Sequence, residues 1–545
     1  MFNRARSSAS PMSWWGAVVA SVLAVVLGTP APALADPPSN LAPPVTEDHG
    51  SIEITVPRPA PPTARWGLES YPGVTREQAL ADQNAEFDTP LAGVDIGWAD
   101  DVRMIGAQVV DFDGQSSYLT AAPAALDTSR TFAISAWVRL TDKSRDRALV
   151  SKDSDGLDSL SFGYRADINR WSVQMPSKAA APRVKWAKAR SVSVPKVGLW
   201  THLATVYDTA DRTLKLYVNG ILEGTATNAV GFQDPQGEVR LGRSDAAWWQ
   251  GNVADVVVYD RALTDADFFG QRASDPNSGG VDEPGLLRPV MVGTWGFSRA
   301  RSCYEEGSDP IFCGAPEDGQ FGRRLKLTQG SSVDFGRDGD AGLRLDGVHW
   351  IDDPSDPYYG LATQEYGRSQ SNVGDEGNPV WQDGPVLRTD QSYSVSVWSQ
   401  LDQVQGAQTL VSQDSTGFSA FQVAYRPDNG GEWVFKVRAN ANGPKDTKTT
   451  YAVTPALDPT GWHHLVGVLD ATRSQARLYV DGALAQTVGL NPAWKPWQAS
   501  GPLLVGRATT PAGPVEWLHG GLDDLALYQG ALTDTAVSTL FDQQS

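Results

Sequence analysis

Thr131–Leu140 reads TFAISAWVRL, and Ser392–Leu401 reads SYSVSVWSQL. In the first stretch Phe132, Ile134 and Ala136 alternate with Ala133, Ser135 and Trp137. Period-two alternation with β-branched and aromatic residues marks a half-buried strand. Flanking blocks recur in the same order. RALVSKD (Arg147–Asp153) answers QTLVSQD (Gln408–Asp414), and GLWTHLATVYD (Gly198–Asp208) answers GWHHLVGVLD (Gly461–Asp470). LKLYVNG (Leu214–Gly220) answers ARLYVDG (Ala476–Gly482), and GNVADVVVYDRALTD (Gly251–Asp265) answers GGLDDLALYQGALTD (Gly520–Asp534). So long a period excludes a solenoid and predicts a duplicated domain, each copy with its own core.

Outward from these blocks, the dipeptides Asn219-Gly220 and Asp481-Gly482 predict tight hairpin turns. Short helices are expected at LTDADFF (Leu263–Phe269) and LTDTAVSTLF (Leu532–Phe541), each opened by a threonine cap. Many short strands separated by turn signals predict an all-β fold of two tandem sandwiches. The first domain is expected over 63–273, a Gly/Pro/Asp linker over 274–285 and the second domain over 286–545.

Arg4 and Arg6, an apolar run Trp14–Leu27 and Ala33-Leu34-Ala35 read as a secretory signal peptide over 1–35. The proline-rich stretch 36–62 reads as a disordered leader. A secreted, extracellular protein with no membrane span is therefore expected. The formal net charge of -19 disfavours nucleic acid and anionic lipid as partners. The two cysteines, Cys303 and Cys313, are expected to form a disulfide in an exported chain.

As a set, several motifs resemble the LamG-like branch of the concanavalin A-like lectin/glucanase domains. In the first copy they are Phe112-Asp113-Gly114, Ser135-Ala136-Trp137, Trp200-Thr201-His202-Leu203, Leu216–Gly220, Leu241-Gly242-Arg243 and Gly251–Leu263. In the second they are Leu345-Asp346-Gly347, Ser396-Val397-Trp398, Trp462-His463-His464-Leu465, Leu478–Gly482, Val505-Gly506-Arg507 and Gly520–Leu532. The resemblance implies a jelly roll of two sheets whose relatives bind glycans, proteins or lipids, so fold does not decide ligand. It also implies calcium at the sandwich rim, held by carboxylate oxygens. The candidates are Asp113 and Asp255 in the first copy and Asp346, Asp523 and Asp524 in the second. Adjacent acids survive only in the second, since Ala254 stands where Asp523 does. The competing reading makes these acids turn caps.

Polysaccharide hydrolases of this fold carry paired carboxylates on one strand, spaced about E-x-D-x-x-E, for acid and nucleophile or base. The sequence contains no such run, and no residue is assigned a catalytic role. SKDSDG (Ser151–Gly156) and SQDSTG (Ser412–Gly417) resemble a sialidase Asp-box only in part. His202 and His464 are repeat-equivalent, which favours a structural role. Of the tryptophans, Trp137, Trp200, Trp398 and Trp462 read as core, with Trp171 and Trp433 as a further equivalent pair. Trp248, Trp249, Trp494, Trp497 and Trp517 lie outside that set and are the candidates for stacking on sugar rings. The alternative for each is cover at the edge of a core. A long polar insertion over 350–384 separates the second copy from the first. The expected function is non-catalytic binding of an extracellular glycan or surface polymer. Protein-binding adhesion and a divergent glycoside hydrolase are the alternatives.

Overall fold

The structure is a computed structural model. It describes residues 62–545 except 84–87, 153–157, 178–184, 233–236, 270–284, 302–312, 329, 349, 351–353, 355–359, 361, 376 and 441–447. The expected signal peptide, nearly all of the leader, most of the linker, Cys303 and much of the SKDSDG stretch lie outside the described residues.

Each copy folds as two antiparallel sheets packed face to face. In the first, one sheet runs Ile221–Ala226, Thr213–Val218, Trp200–Asp208, Phe132–Leu140, Gln250–Tyr259, Gln108–Asp113, Glu69–Ser70. The facing sheet runs Trp186–Arg190, Arg170–Pro176, Leu160–Arg165, Arg147–Lys152, Val239–Leu241, Tyr118–Ala121, Ala92–Val94. The second sandwich repeats this order around Tyr393–Leu401, with His463–Asp470 on one side and His519–Gln529 on the other. Register repeats as well: His202 opposes Trp137, and His464 opposes Trp398.

Phe132, Ile134, Ala136, Val138 and Leu140 enter the core between the sheets, as alternation predicts. The opposite face of that strand is not free, however. Ala133 and Ser135 are fully buried. The helix Asp265–Phe269 lays Phe268 over Ala133, Ala204, Val206 and Tyr217. In the second sandwich Asp534–Gln544 lays Val537 over Val466, Val468 and Tyr479, and the Thr533 hydroxyl caps it by accepting from Ala536 N. The expectation of half-buried strands is therefore corrected: a short helix after the last strand covers the second face.

The hairpin turns have the backbone their sequence requires. Asn219 and Gly220 take φ of 50° and 75°, and Asp481 and Gly482 take the same values. Both central residues with positive φ match a type I′ turn. Glycine is needed there twice over, because a Cβ on Gly220 or Gly482 would meet the covering Phe269 or Phe541 at 2.8 or 2.9 Å.

The two sandwiches also share a surface that the repeat does not announce. Met104 and Ala107, from the first sandwich, lie in the core cluster of the second with Trp295 and Phe297. Gln391 accepts from Trp200 N (3.0 Å) and donates to Gly198 O (2.9 Å). Arg388 and Arg323 donate to the carbonyls of Asp101 and Ile105 at 2.6 and 2.5 Å. Residues 60–545 accordingly form one compact unit.

Candidate functional site

The strand Val239–Leu241 ends in Gly242-Arg243, and its counterpart Leu503–Val505 ends in Gly506-Arg507. Each glycine has positive φ, and a Cβ there would strike Phe112 at 2.4 Å or Leu345 at 2.3 Å. The turn is thus fixed by the core beneath it. Each arginine carbonyl is then pinned by the serine of the repeated Leu-Val-Ser block: Ser151 Oγ donates to Arg243 O at 2.8 Å, and Ser412 Oγ to Arg507 O at 2.9 Å.

Two half-buried aromatic rings flank each arginine so placed. Arg243 Cζ lies 4.9 Å from the Tyr118 ring and 4.8 Å from Trp248. Those rings meet edge to face at 5.9 Å. Arg507 Cζ lies 4.2 Å from Tyr366 and 5.7 Å from Trp517, whose rings meet edge to face at 6.0 Å. Tyr118 faces away from the core because its neighbours Leu119 and Ala121 fill it. In both clusters the arginine Nε–H is buried and has no hydrogen-bond partner among the described residues. The result, in each sandwich, is a half-exposed cluster of two aromatic rings, set edge to face, and a guanidinium.

Trp248 and Trp517 thus sit where a ligand could reach them. The signal for their partners was the repeated Gly-Arg step itself, whose side-chain role the sequence reading passed over. Trp249 does not join them: it is fully buried and stacks on Trp171 at 6.2 Å. Its inclusion as a ligand residue is corrected: Trp248 makes an isolated bridge to Arg243 just before the last strand, and Trp249 turns into the core instead. Trp494 is half-buried against the second core, and Trp497 donates Nε1–H to Arg438 O at 3.4 Å. Both have the character of edge cover. Trp171 and Trp433 are core residues in equivalent places, each edge-on to a tyrosine, Tyr164 or Tyr425. In the long insertion, Trp381–Asp383 pairs with Gly367–Asn372, and Arg324 lies 4.1 Å over the Trp381 ring.

The aspartates offered to calcium are dispersed. Asp113 caps a turn, accepting from Gln115 N, Ser116 N and Ser117 N at 2.7–3.0 Å. These donors hold its carboxyl far below the usual range against the opposing cost of burial. Asp346 is exposed, and its backbone N donates to Glu365. Asp255 and Asp524 occupy equivalent bulges in the last strand, with φ of 45° and 44°. Asp255 pairs with Arg65 at 2.9 Å, and Asp524 faces Arg337 at 3.6 Å. Asp523 is buried and accepts from Arg337 N and Asp524 N. Burial, reinforced by Asp524, pushes it up to about 6. Among the described residues no three acidic, histidine or cysteine side chains are placed to hold an ion. These residues do not fit a calcium site: arginine supplies the counter-charge in both copies.

His202 and His464 are buried, which pushes each down to about 4. Each sits between the tryptophan opposite it and the helix phenylalanine: Trp137 and Phe268, or Trp398 and Phe541. His463 turns the other way, to Asp481 at 2.8 Å.

The sequence profile of the concanavalin A-like lectin/glucanases superfamily matches residues 113–267 and 375–538. The chain belongs to that superfamily. Each matched region falls within one of the two sandwiches described above. No curated protein is similar enough in sequence to count as a match. Several solved structures are similar to parts of the chain. The binding domain of botulinum neurotoxin DC, in complex with rat synaptotagmin II, is 10% identical, with a TM-score of 0.32 over 47% of this chain and 52% of that one. Domain 4 of a GH43 extracellular arabinanase from Geobacillus stearothermophilus, in complex with arabinotriose, is 18% identical, with a TM-score of 0.28 over 38% and 95%. The CBM40 of a Ruminococcus gnavus IT-sialidase is 11% identical, with a TM-score of 0.25 over 28% and 84%. This chain covers about half of the neurotoxin structure (52%).

Proposed function

We propose that this is a secreted, non-catalytic protein that binds carbohydrate or a cell-surface polymer through both concanavalin A-like sandwiches. The observation that carries this reading is the Tyr–Arg–Trp cluster, present at the same place in each. An aromatic ring offers the apolar face of a pyranose a flat surface, and a guanidinium beside it donates to hydroxyls. Its position on the rim of a rigid sheet keeps the surface preorganised. Two such platforms on one unit would engage repeating units of a single polymer and gain avidity, which suits a linear glycan. The spacing of acids in the sequence supports binding without cleavage.

The test is a polysaccharide binding screen on the secreted protein, followed for each bound polymer by an assay for released reducing ends. Retention of at least one polysaccharide with no sugar release supports the reading. Release of sugar would assign the chain to hydrolysis instead, and retention of no polysaccharide alongside binding in a parallel screen of extracellular proteins would assign it to adhesion.

A further inference from the structure

A cleft of about 720 Å3, counting its open mouth, lies between the two sandwiches. Such interfaces are common places for ligand sites. Four arginines line it, Arg103 and Arg288 from the first sandwich and the segment after it, and Arg473 and Arg477 from the second. Among the described residues, Asp470 is the single carboxylate of the lining. It is committed to its own turn, accepting from Thr472 Oγ1 at 2.7 Å and from Arg473 N at 2.9 Å.

The charge count around the cleft does not close to zero. Arg103 pairs with Glu69, Arg477 with Asp534 and Arg473 with Asp470. Arg288 is exposed and makes no ion pair with a described residue. Pairing also leaves donors over. Arg103 spends Nη1 on Glu69 at 2.5 Å, and its guanidinium is held 5.2 and 5.5 Å from the rings of Trp137 and Trp200. The rim rings lie under an arginine in the same way; the cleft differs in gathering four arginines in one lining. A net cationic recess in a chain of net charge -19 focuses anions where the rest of the surface repels them.

We propose that this cleft is a second binding site, specific for an acidic sugar residue, whose carboxylate or sulfate is held by Arg288 and Arg473. A guanidinium fork matches either oxyanion with two parallel hydrogen bonds. The sugar part of the claim rests on the carbohydrate-binding reading, whereas the anion part rests on the lining alone. Residues from both sandwiches build the site, so the ligand bridges them.

The experiment is calorimetric titration of the whole secreted protein with hexasaccharides at low salt. Uronate probes (pectate, alginate) and a sulfated probe (heparin-derived) are compared with neutral galactan and glucan. The expected result is tighter binding of an acidic probe, weakened about ten- to a hundredfold by Arg288→Glu or Arg473→Glu, as loss of a charge-assisted contact implies. Lys188→Glu, an exposed change of equal charge elsewhere, should leave affinity unchanged. The uronate and sulfated arms decide which acid is read. Acidic probes that bind no tighter than neutral ones overturn the proposal and leave the carbohydrate reading standing. So does binding indifferent to both arginine variants, or equally sensitive to Lys188→Glu. Failure of every probe to bind overturns both.

Discussion

Arg65 Nε donates to Asp255 Oδ1 at 2.9 Å and so neutralises an aspartate in left-handed backbone at the bulge of the last strand. The second sandwich meets the same need from a different element. Arg337, which precedes the strand Ala341–Asp346, faces Asp524 and lies 4.2 Å over Trp398. Exposure decides which pair matters more. The Arg65 side chain is 47% exposed and that of Arg337 only 11%. Arg337→Met should therefore cost on the order of 2–4 kcal/mol, by leaving partly buried acids without a counter-charge. Arg65→Met should cost about 1 kcal/mol or less. Calcium and chelator should each leave the Tm of the wild-type protein unmoved, because an arginine already stands at each bulge. A calcium-dependent rise in Tm would contradict this account.

Acid should act on buried groups of opposite sign. His202 and His464, held down at about 4, resist protonation in the fold, whereas the unfolded chain takes protons near the ordinary 6.5. Their contribution is full above about pH 6.5 and is lost as pH falls towards 4. Glu69, raised by burial to about 7, and Asp523, at about 6, bind protons more tightly folded than unfolded. They favour the fold progressively as pH falls from about 7 towards 4. Asp523→Asn removes one opposing group; its single amide oxygen keeps one of the two N–H contacts, from Arg337 or Asp524, so the wild-type comparison is of slopes with pH, not of absolute stability. Denaturant melts between pH 7 and 4 should then show stability falling more steeply with acid than in the wild type. Parallel profiles would contradict the assignment.

The shared surface makes the sandwiches interdependent. Met104 belongs to the first sandwich by sequence but is buried in the core of the second. Met104→Ala should cost about 2–5 kcal/mol. Hydrogen exchange should show the loss around Trp295 and Phe297, across the boundary between repeats. Loosening confined to the first sandwich would show that the contact carries no energy.

Cys303 lies outside the described residues, so its pairing with Cys313 is an expected outcome of direct measurement on the purified protein. Thiol titration after denaturation without reductant should find no reactive thiol, with Cys303 joined to Cys313. Two reactive thiols would refute it.

The strands, the hairpin turns and both terminal helices were legible because each is written in local pattern: alternation at 132–140, Asn219-Gly220, the Thr533 cap. What covers the outer sheet face was not, since the burial of Ala133 depends on Phe268 of a helix far away in sequence. Trp248 and Trp249 show the limit of composition. Adjacent and chemically identical, they face opposite ways, one onto the rim and one into the core. The aspartates misled for a related reason. Asp523-Asp524 looks like a ligand pair until Arg337, distant in sequence, is brought against it. The Tyr118–Arg243–Trp248 cluster joins three separate elements, so only the repeated Gly-Arg step hinted at it.

Binding to an immobilised polysaccharide by wild-type protein, Trp248→Ala, Trp517→Ala and the double variant tests the central claim most directly. Each single change removes one platform, and the double change removes both. The account predicts measurable weakening by each alone. It predicts a loss of roughly a hundredfold or more for the pair, because avidity fails with the second platform. All four proteins should remain folded at the assay temperature, with only a modest fall in Tm, since both side chains are half-buried. A double variant that binds as the wild type does would contradict the claim that these paired sites recognise the ligand.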